Sequence, residues 1–206
     1  MMVEYEEKLD KTLFEKLSLY RLVIFDFDGT LVDTSYDVAI CMNEAFVRKG
    51  YPEREIEDII PLLGGRLEDI IKDMLLEKNE SIVKIDEIAW EYKRIYRDSR
   101  KEHSLPYKGI TDLLELLKSK QISLSINSNK PQELLDKMVN NLFTEGLFEC
   151  VIGYQSNLDP KPSPKGALNI MEYCGVKPNE TIYVGDGEID FKTAVNAQID
   201  FLRIFH

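Results

Sequence analysis

Long apolar runs are missing from this sequence. No stretch approaches the roughly 20 residues that a bilayer-spanning helix needs. The opening segment, Met1 to Lys11, is acidic and lacks the apolar centre of a secretion leader. No membrane partner is therefore expected, and the expected compartment is the cytoplasm. Cysteine is scarce. The three present, Cys41, Cys150 and Cys174, are odd in number and widely spaced. That spacing excludes a disulfide scaffold and a zinc pattern, and it fits reduced thiols acting as small buried hydrophobes. Basic charge is also short, with 26 Lys and Arg against 37 Asp and Glu, a formal net charge of −11. Without a basic footprint, no nucleic-acid partner is expected. A small phosphorylated ligand stays possible, because its binding depends on local rather than net charge. Internal repeats and low-complexity linkers are absent too.

What is present is a globular composition, 44% apolar and 31% charged over 206 residues. That length suits one large domain, or one domain carrying an insertion. Short apolar runs, 22–27, 122–126, 151–153, 181–184 and 201–204, read as strands covered on both faces. Amphipathic stretches at 113–118, 133–142, 165–174 and 191–197 alternate with them, which predicts a parallel sheet wrapped by helices. From 35 to 104 the alternation stops. Val38, Cys41, Met42, Ala45 and Phe46 share one helical face, as do Leu67, Ile70, Ile71, Met74 and Leu75, and then Ile85, Ile88, Ala89, Tyr92 and Ile95. The expected fold is therefore α/β, a Rossmann-like three-layer core formed by 1–34 and 105–206, with a helical insertion at 35–104. Gly64-Gly65 breaks the inserted helices. Leu9, Leu13, Phe14 and Leu17 predict that residues 1–20 form a helical extension, packed on the core or offered to a partner. A monomer or weak homodimer is expected.

The strongest local signal is Asp26-Phe27-Asp28-Gly29-Thr30-Leu31-Val32-Asp33-Thr34, directly after the run Leu22 to Phe25. Two carboxylates thus stand at the carboxyl end of a central strand, where open α/β sheets bind ligands. Gly29 lets the chain turn so that both acids can approach one centre. Anions that close repel unless a cation or shared proton intervenes. Oxygen ligands and a phosphate substrate would favour Mg²⁺. A calcium loop is the other reading, opposed by apolar Phe27 and the preceding strand. Three further segments end later strands. Ser128-Asn129-Lys130 precedes a helix start that can face an anion. Lys161 lies between Pro160 and Pro162, which stiffen its backbone. Gly185-Asp186-Gly187-Glu188-Ile189-Asp190 adds carboxylates on a Gly-rich turn. Each alone is ordinary: a helix cap, a loop lysine, a turn. In this order, at successive strand ends, they form a pattern.

That pattern resembles the haloacid dehalogenase superfamily of phosphohydrolases, over essentially all of the chain after residue 20. The resemblance implies Asp26 as nucleophile and Asp28 as general acid/base. Ser128 matches the second-motif hydroxyl, Lys161 the third-motif lysine, and Asp186 and Asp190 the acidic pair of the fourth. Position 187 is Gly where many relatives have Ser. The insertion resembles a subclass I cap, as in phosphoglycolate-phosphatase-like members. Implied further are Mg²⁺ held by the Asp26 carboxylate, the Asp28 main-chain carbonyl, Asp186 and, as an outer or additional ligand, Asp190. Ser128, the Asn129 main chain and Lys161 would receive phosphate, with Thr30 steadying Asp28. Arg66 either grips a second anionic group or is a solvated helix-start arginine. The implied activity is hydrolysis of a small phosphorylated metabolite through an aspartyl-phosphate. A phosphomutase of the β-phosphoglucomutase type shares cap and motifs, but its cap arginine would stand one position away from Arg66. A non-catalytic binding protein on the same fold is the third reading. Haloacid dehalogenation fits poorly, because it needs neither the metal carboxylates nor Asp28.

Overall fold

A computed structural model describes residues 4–7, 11–63, 67–76 and 84–206. In chain order its elements begin with β1 (Glu4–Glu7), α1 (Lys11–Leu17), β2 (Leu22–Phe25) and β3 (Val32–Asp33). Four helices follow: α2 (Ser35–Arg48), α3 (Ile56–Ile59, extended by a 3-10 turn at Ile60–Leu62), α4 (Leu67–Leu76) and α5 (Ile85–Asp98). Then come β4 (Leu105–Pro106), α6 (Ile110–Ser119), β5 (Ser123–Pro131) and α7 (Gln132–Leu142). The chain closes with β6 (Cys150–Tyr154), α8 (Lys165–Cys174), β7 (Thr181–Gly185), α9 (Glu188–Ala197) and β8 (Asp200–Ile204). It divides into two compact units, Met1–Val32 with Pro106–His206, and Asp33–Leu105.

The first unit is an α/β core around a six-stranded sheet of order β1-β8-β7-β2-β5-β6, parallel throughout. Its central strands β2 and β7 are buried at every residue, which is why they read as unbroken apolar runs. Alternate side chains go to opposite faces. Val23, Phe25, Leu124, Ile126 and Val184 pack with Leu13 and Leu17 of α1, Leu114 and Leu117 of α6, and Leu135 of α7. Leu22, Ile24, Tyr183 and Phe201 pack with Ala167 and Ile170 of α8 and Ala194 of α9. Three layers result, with each fully buried Leu, Ile or Phe contributing about 1.5–3 kcal/mol.

Two details differ from the sequence reading. Residues 1–20 are not helical throughout. Glu4–Glu7 forms an edge strand whose backbone pairs in parallel with β8, Glu4 opposite Phe201 and Glu7 opposite Ile204. Among the described residues of this stretch only Lys11–Leu17 is helix, anchored by fully buried Leu13 and Leu17; Leu9 lies outside the described residues. Edge pairing is backbone-driven and tolerates the charged sequence Glu-Tyr-Glu-Glu, so no apolar pattern announces it. Second, β5 runs on to Pro131, because an irregularity between Asn127 and Pro131 carries its pairing with β6 past the apolar stretch.

The second unit is helical. Cys41, Met42, Ala45 and Phe46 of α2, Ile71, Met74 and Leu75 of α4, and Ile88 of α5 are buried in it. A buried carboxylate, Asp37, accepts from the Ser104 hydroxyl at 2.6 Å and the His103 N–H at 3.1 Å, tying α2 to the returning chain. No described helix is long and apolar enough to cross a membrane.

Candidate active site

Strands β7, β2 and β5 are neighbours, so the residues at their carboxyl ends converge. Asp26 follows β2, Asp186 follows β7, and Ser128 lies near the end of β5. The Asp26 N–H donates to Val184 O at 2.9 Å, which prolongs the ladder into the site. The chain then turns sharply. The Leu31 and Val32 N–H groups both donate to Phe27 O at 3.0 Å, with Gly29 at a φ of +76°. A Cβ on Gly29 would fall 2.6 Å from Asp186 Oδ2, so glycine serves both the turn and the approach of that carboxylate.

Oxygens of Asp26, Asp186 and Asp190 lie within 4.8 Å of one another. Lys161 is buried beside them, its Nζ 2.7 Å from Asp26 Oδ1 and 2.6 Å from Asp190 Oδ1. The other Asp190 oxygen accepts the Gly187 N–H at 3.1 Å in the first turn of α9, where the helix end favours an anion. Burial, then the Asp190 charge, pushes the Asp26 carboxyl up to about 8, against the pull of Lys161. Burial also raises Asp186, opposed by its bond from Thr30. Burial alone would lower Lys161, but Asp26, Tyr183 and Asp190 together hold it well above the ordinary lysine range.

Asp28 stands apart from this trio. Its carboxylate pairs with Lys130 Nζ at 2.8 Å, and Lys130 is itself buried. The two motif acids therefore pair with different lysines, while the Asp28 charge still acts on Asp26. The metal ligand expected of Asp28 is its main-chain carbonyl, and the position of its side chain does not conflict with that. Thr30 does not steady Asp28 as expected. Its hydroxyl donates to Asp186 Oδ1 at 2.8 Å, because the turn at Gly29 brings it beside β7. Ser128 is buried, its Oγ accepting the Lys130 N–H at 3.2 Å. The Asn129 side chain reaches the main chain of Lys161. Arg66 and Gly64-Gly65 lie outside the described residues.

The donor set fits a divalent cation. Asp26 Oδ1 is buried and close to Lys161 without an aligned hydrogen bond, leaving acceptor capacity unused. Asp26, Asp28, Asp186 and Asp190 outnumber Lys130 and Lys161 by two, leaving room for a cation once Asp26 ionises. All-carboxylate oxygen donors suit a hard ion.

Lys130, which the sequence places only in the segment Ser128-Asn129-Lys130, takes part in the site, and nothing local tells which carboxylate it meets. One participant escaped the sequence reading. Tyr183 read only as strand core. Its hydroxyl donates to Asn127 O at 2.7 Å, and its ring centre lies 5.8 Å from Lys161 Nζ. A polar tip on an apolar strand, one residue before Val184-Gly185-Asp186, was the available hint.

Known proteins resemble this chain in sequence and in fold. The haloacid dehalogenase-like hydrolase family profile matches residues 23–204. A phosphoglycolate phosphatase of Aquifex aeolicus (strain VF5) is 29% identical over 178 residues, covering 86% of this chain and 81% of its own. One from Pseudomonas putida is 27% identical over 192 residues, covering 90% and 71%. Among solved structures, a protein of Lactobacillus delbrueckii subsp. bulgaricus, provisionally described as a phosphoglycolate phosphatase, superposes with a TM-score of 0.79 at 30% identity. It covers 88% of this chain and 84% of its own. A haloacid dehalogenase-like family hydrolase of Streptococcus pneumoniae gives 0.77 at 25% identity, covering 90% and 84%. The chain thus belongs to the haloacid dehalogenase-like hydrolase family, as an enzyme similar to that family's phosphoglycolate phosphatases.

Proposed function

We propose that this hydrolase is a Mg²⁺-dependent phosphatase that cleaves a small phosphorylated metabolite through an aspartyl-phosphate on Asp26. The observation that carries this reading is the buried Asp26 carboxylate, 2.7 Å from Lys161 and grouped with Asp186 and Asp190, while Asp28 is held separately two residues on. Mg²⁺ bound by Asp26, Asp186 and Asp190, with the Asp28 carbonyl, would supply positive charge that keeps Asp26 ionised and balances the phosphoryl oxygens.

The remaining steps belong to the chain's own residues. An Asp26 oxygen attacks phosphorus, forming an O–P bond as the bond to the leaving oxygen breaks. Asp28, entering in its protonated form, gives that proton to the leaving oxygen and is left as the carboxylate beside Lys130. It then takes a proton from the water that attacks the phosphorus and releases inorganic phosphate, restoring Asp26. The Lys161 ammonium, the Ser128 hydroxyl and the Asn129 N–H are the donors for the transferring group. We assign Asp190 the further task of holding Lys161 in line with Asp26.

For the substrate we propose a phosphorylated small acid, with phosphoglycolate first in line because the curated relatives carry that name. We further propose that the helical unit serves as the substrate-selecting cap, with Arg66 reaching a second anionic group, and that the enzyme is a cytoplasmic monomer or weak homodimer. The test is phosphate release from a panel of phosphoglycolate, nucleotides and sugar phosphates, with Mg²⁺ or with EDTA, comparing wild type with Asp26→Asn. Metal-dependent release lost in the variant supports the reading. A long-lived phospho-Asp26 with isomerisation of a sugar phosphate would replace it with the phosphomutase, and no chemistry on any substrate would replace it with a binding protein.

A further inference from the structure

A lysine side chain is long, with four rotatable bonds between Cα and Nζ, so holding its ammonium against Asp26 requires its main chain to be fixed first. Lys161 lies on the segment between β6 and α8, outside the regular ladder. Its peptide groups are nonetheless bonded on both sides by one side chain. Asn129 Oδ1 accepts the Lys161 N–H at 2.8 Å, and Asn129 Nδ2 donates to the Lys161 carbonyl at 3.1 Å. The planar amide thereby matches donor to acceptor and acceptor to donor across 32 positions of sequence. The next residue is tied from another element, since Asn196 Nδ2 on α9 donates to Pro162 O at 2.8 Å. That helix also carries Asp190, which holds the Nζ end. Asn129 itself is exposed, so its place is not explained by core packing, and truncating it opens no cavity.

We propose that the Asn129 side chain is a positioning residue for Lys161. It sets the main chain from which the ammonium reaches Asp26, a task separate from any phosphate contact of the Asn129 N–H. A displacement of about 1 Å at a catalytic group costs on the order of 10²-fold in rate, so loss of one of the two tethers on this segment should lower turnover more than binding.

The test combines a mutant cycle with amide exchange. Its kinetic arm rests on the phosphatase reading; its exchange arm does not. With p-nitrophenyl phosphate and Mg²⁺, Asn129→Ala is expected to lower kcat by about 10–30-fold, with KM changed less than about threefold. In a Lys161→Ala background the same substitution should cost less than about twofold, because the group it positions is gone. Hydrogen exchange at the Lys161 amide should quicken by about tenfold or more in Asn129→Ala, with the Ile126 and Val184 amides unchanged as controls for the fold. Asn129→Asp keeps the acceptor for the Lys161 N–H but sets an oxygen against the Lys161 carbonyl, so its protection should fall between those of Asn129→Ala and wild type. An equal loss of kcat in both backgrounds, or unchanged exchange at Lys161, overturns the proposal. If the wild type turns over no phosphate ester, or Lys161→Ala has no measurable rate, the exchange result alone decides.

Discussion

Replacing Lys161 by Met removes the cation from a buried trio while nearly preserving its volume. Nζ lies 2.7 Å from Asp26 and 2.6 Å from Asp190, and the exposures of the three side chains are 5%, 13% and 3%. Little solvent screens these contacts, so removal of one partner should cost about 3–5 kcal/mol through the uncompensated carboxylates left behind. Asp26 has an escape, which is protonation. With its lysine in place Asp26 already titrates at about 8, and without it the pull that lowers its pKa is lost. Up to about pH 8 wild type carries the same proton and shares its cost; above that the variant alone loses about 1.4 kcal/mol more for each further pH unit. The extra loss of stability should therefore be small at pH 6 and reach about 2 kcal/mol at pH 9.5. Urea unfolding of metal-free wild type and Lys161→Met at both pH values measures it, and kcat should fall by roughly 10²–10³. A loss at pH 9.5 that does not exceed the loss at pH 6 by about 1 kcal/mol would refute the idea that Lys161 neutralises this trio.

Three other outcomes are expected. Asp28→Asn should lower kcat by about 10²–10⁴-fold on an alkyl phosphate but much less on p-nitrophenyl phosphate, whose leaving group needs no proton; equal losses on both would remove Asp28 as the acid. Gly29→Ala, which must hold φ near +76° and would press a Cβ to 2.6 Å from Asp186, should cost about 1–3 kcal/mol and weaken Mg²⁺ binding at least about tenfold. Calorimetric titration that returns the wild-type affinity would contradict that. For pH, burial raises folded Asp26 from 3.8 to about 8 and raises Asp186 as well, so the metal-free folded state holds protons that the unfolded chain releases. Their contribution to stability is full below about pH 4 and is lost as pH rises to about 8. Denaturation in EDTA across that window should show a steeper decline for wild type than for Asp26→Asn, and parallel curves would count against the raised Asp26.

The features that were legible in the sequence are local ones. Leu22 to Phe25 and Thr181 to Val184 read as strands because a central parallel strand buries both faces and must be apolar throughout. Asp26, Asp28 and Asp186 were legible as candidates because they stand just after such strands, and Lys161 because it falls in one order with them along the chain. Glu4–Glu7 was not legible, because its pairing with β8 uses backbone groups that every residue carries.

The sequence by itself determined the α/β class, the helical stretch after the first motif and the candidate site residues, since periodicity, turn residues and motif spacing act over a few neighbouring positions. Tertiary structure alone decided the pairings: Lys130 with Asp28, Thr30 with Asp186, the Asn129 amide with the Lys161 peptide. These join positions 102, 156 and 32 apart, with the last two separations fixed by the hydrogen bonds themselves. At such distances each lysine has several carboxylates to choose among. Which one it meets depends on strand order and on the turn at Gly29, which exist only once the sheet has formed.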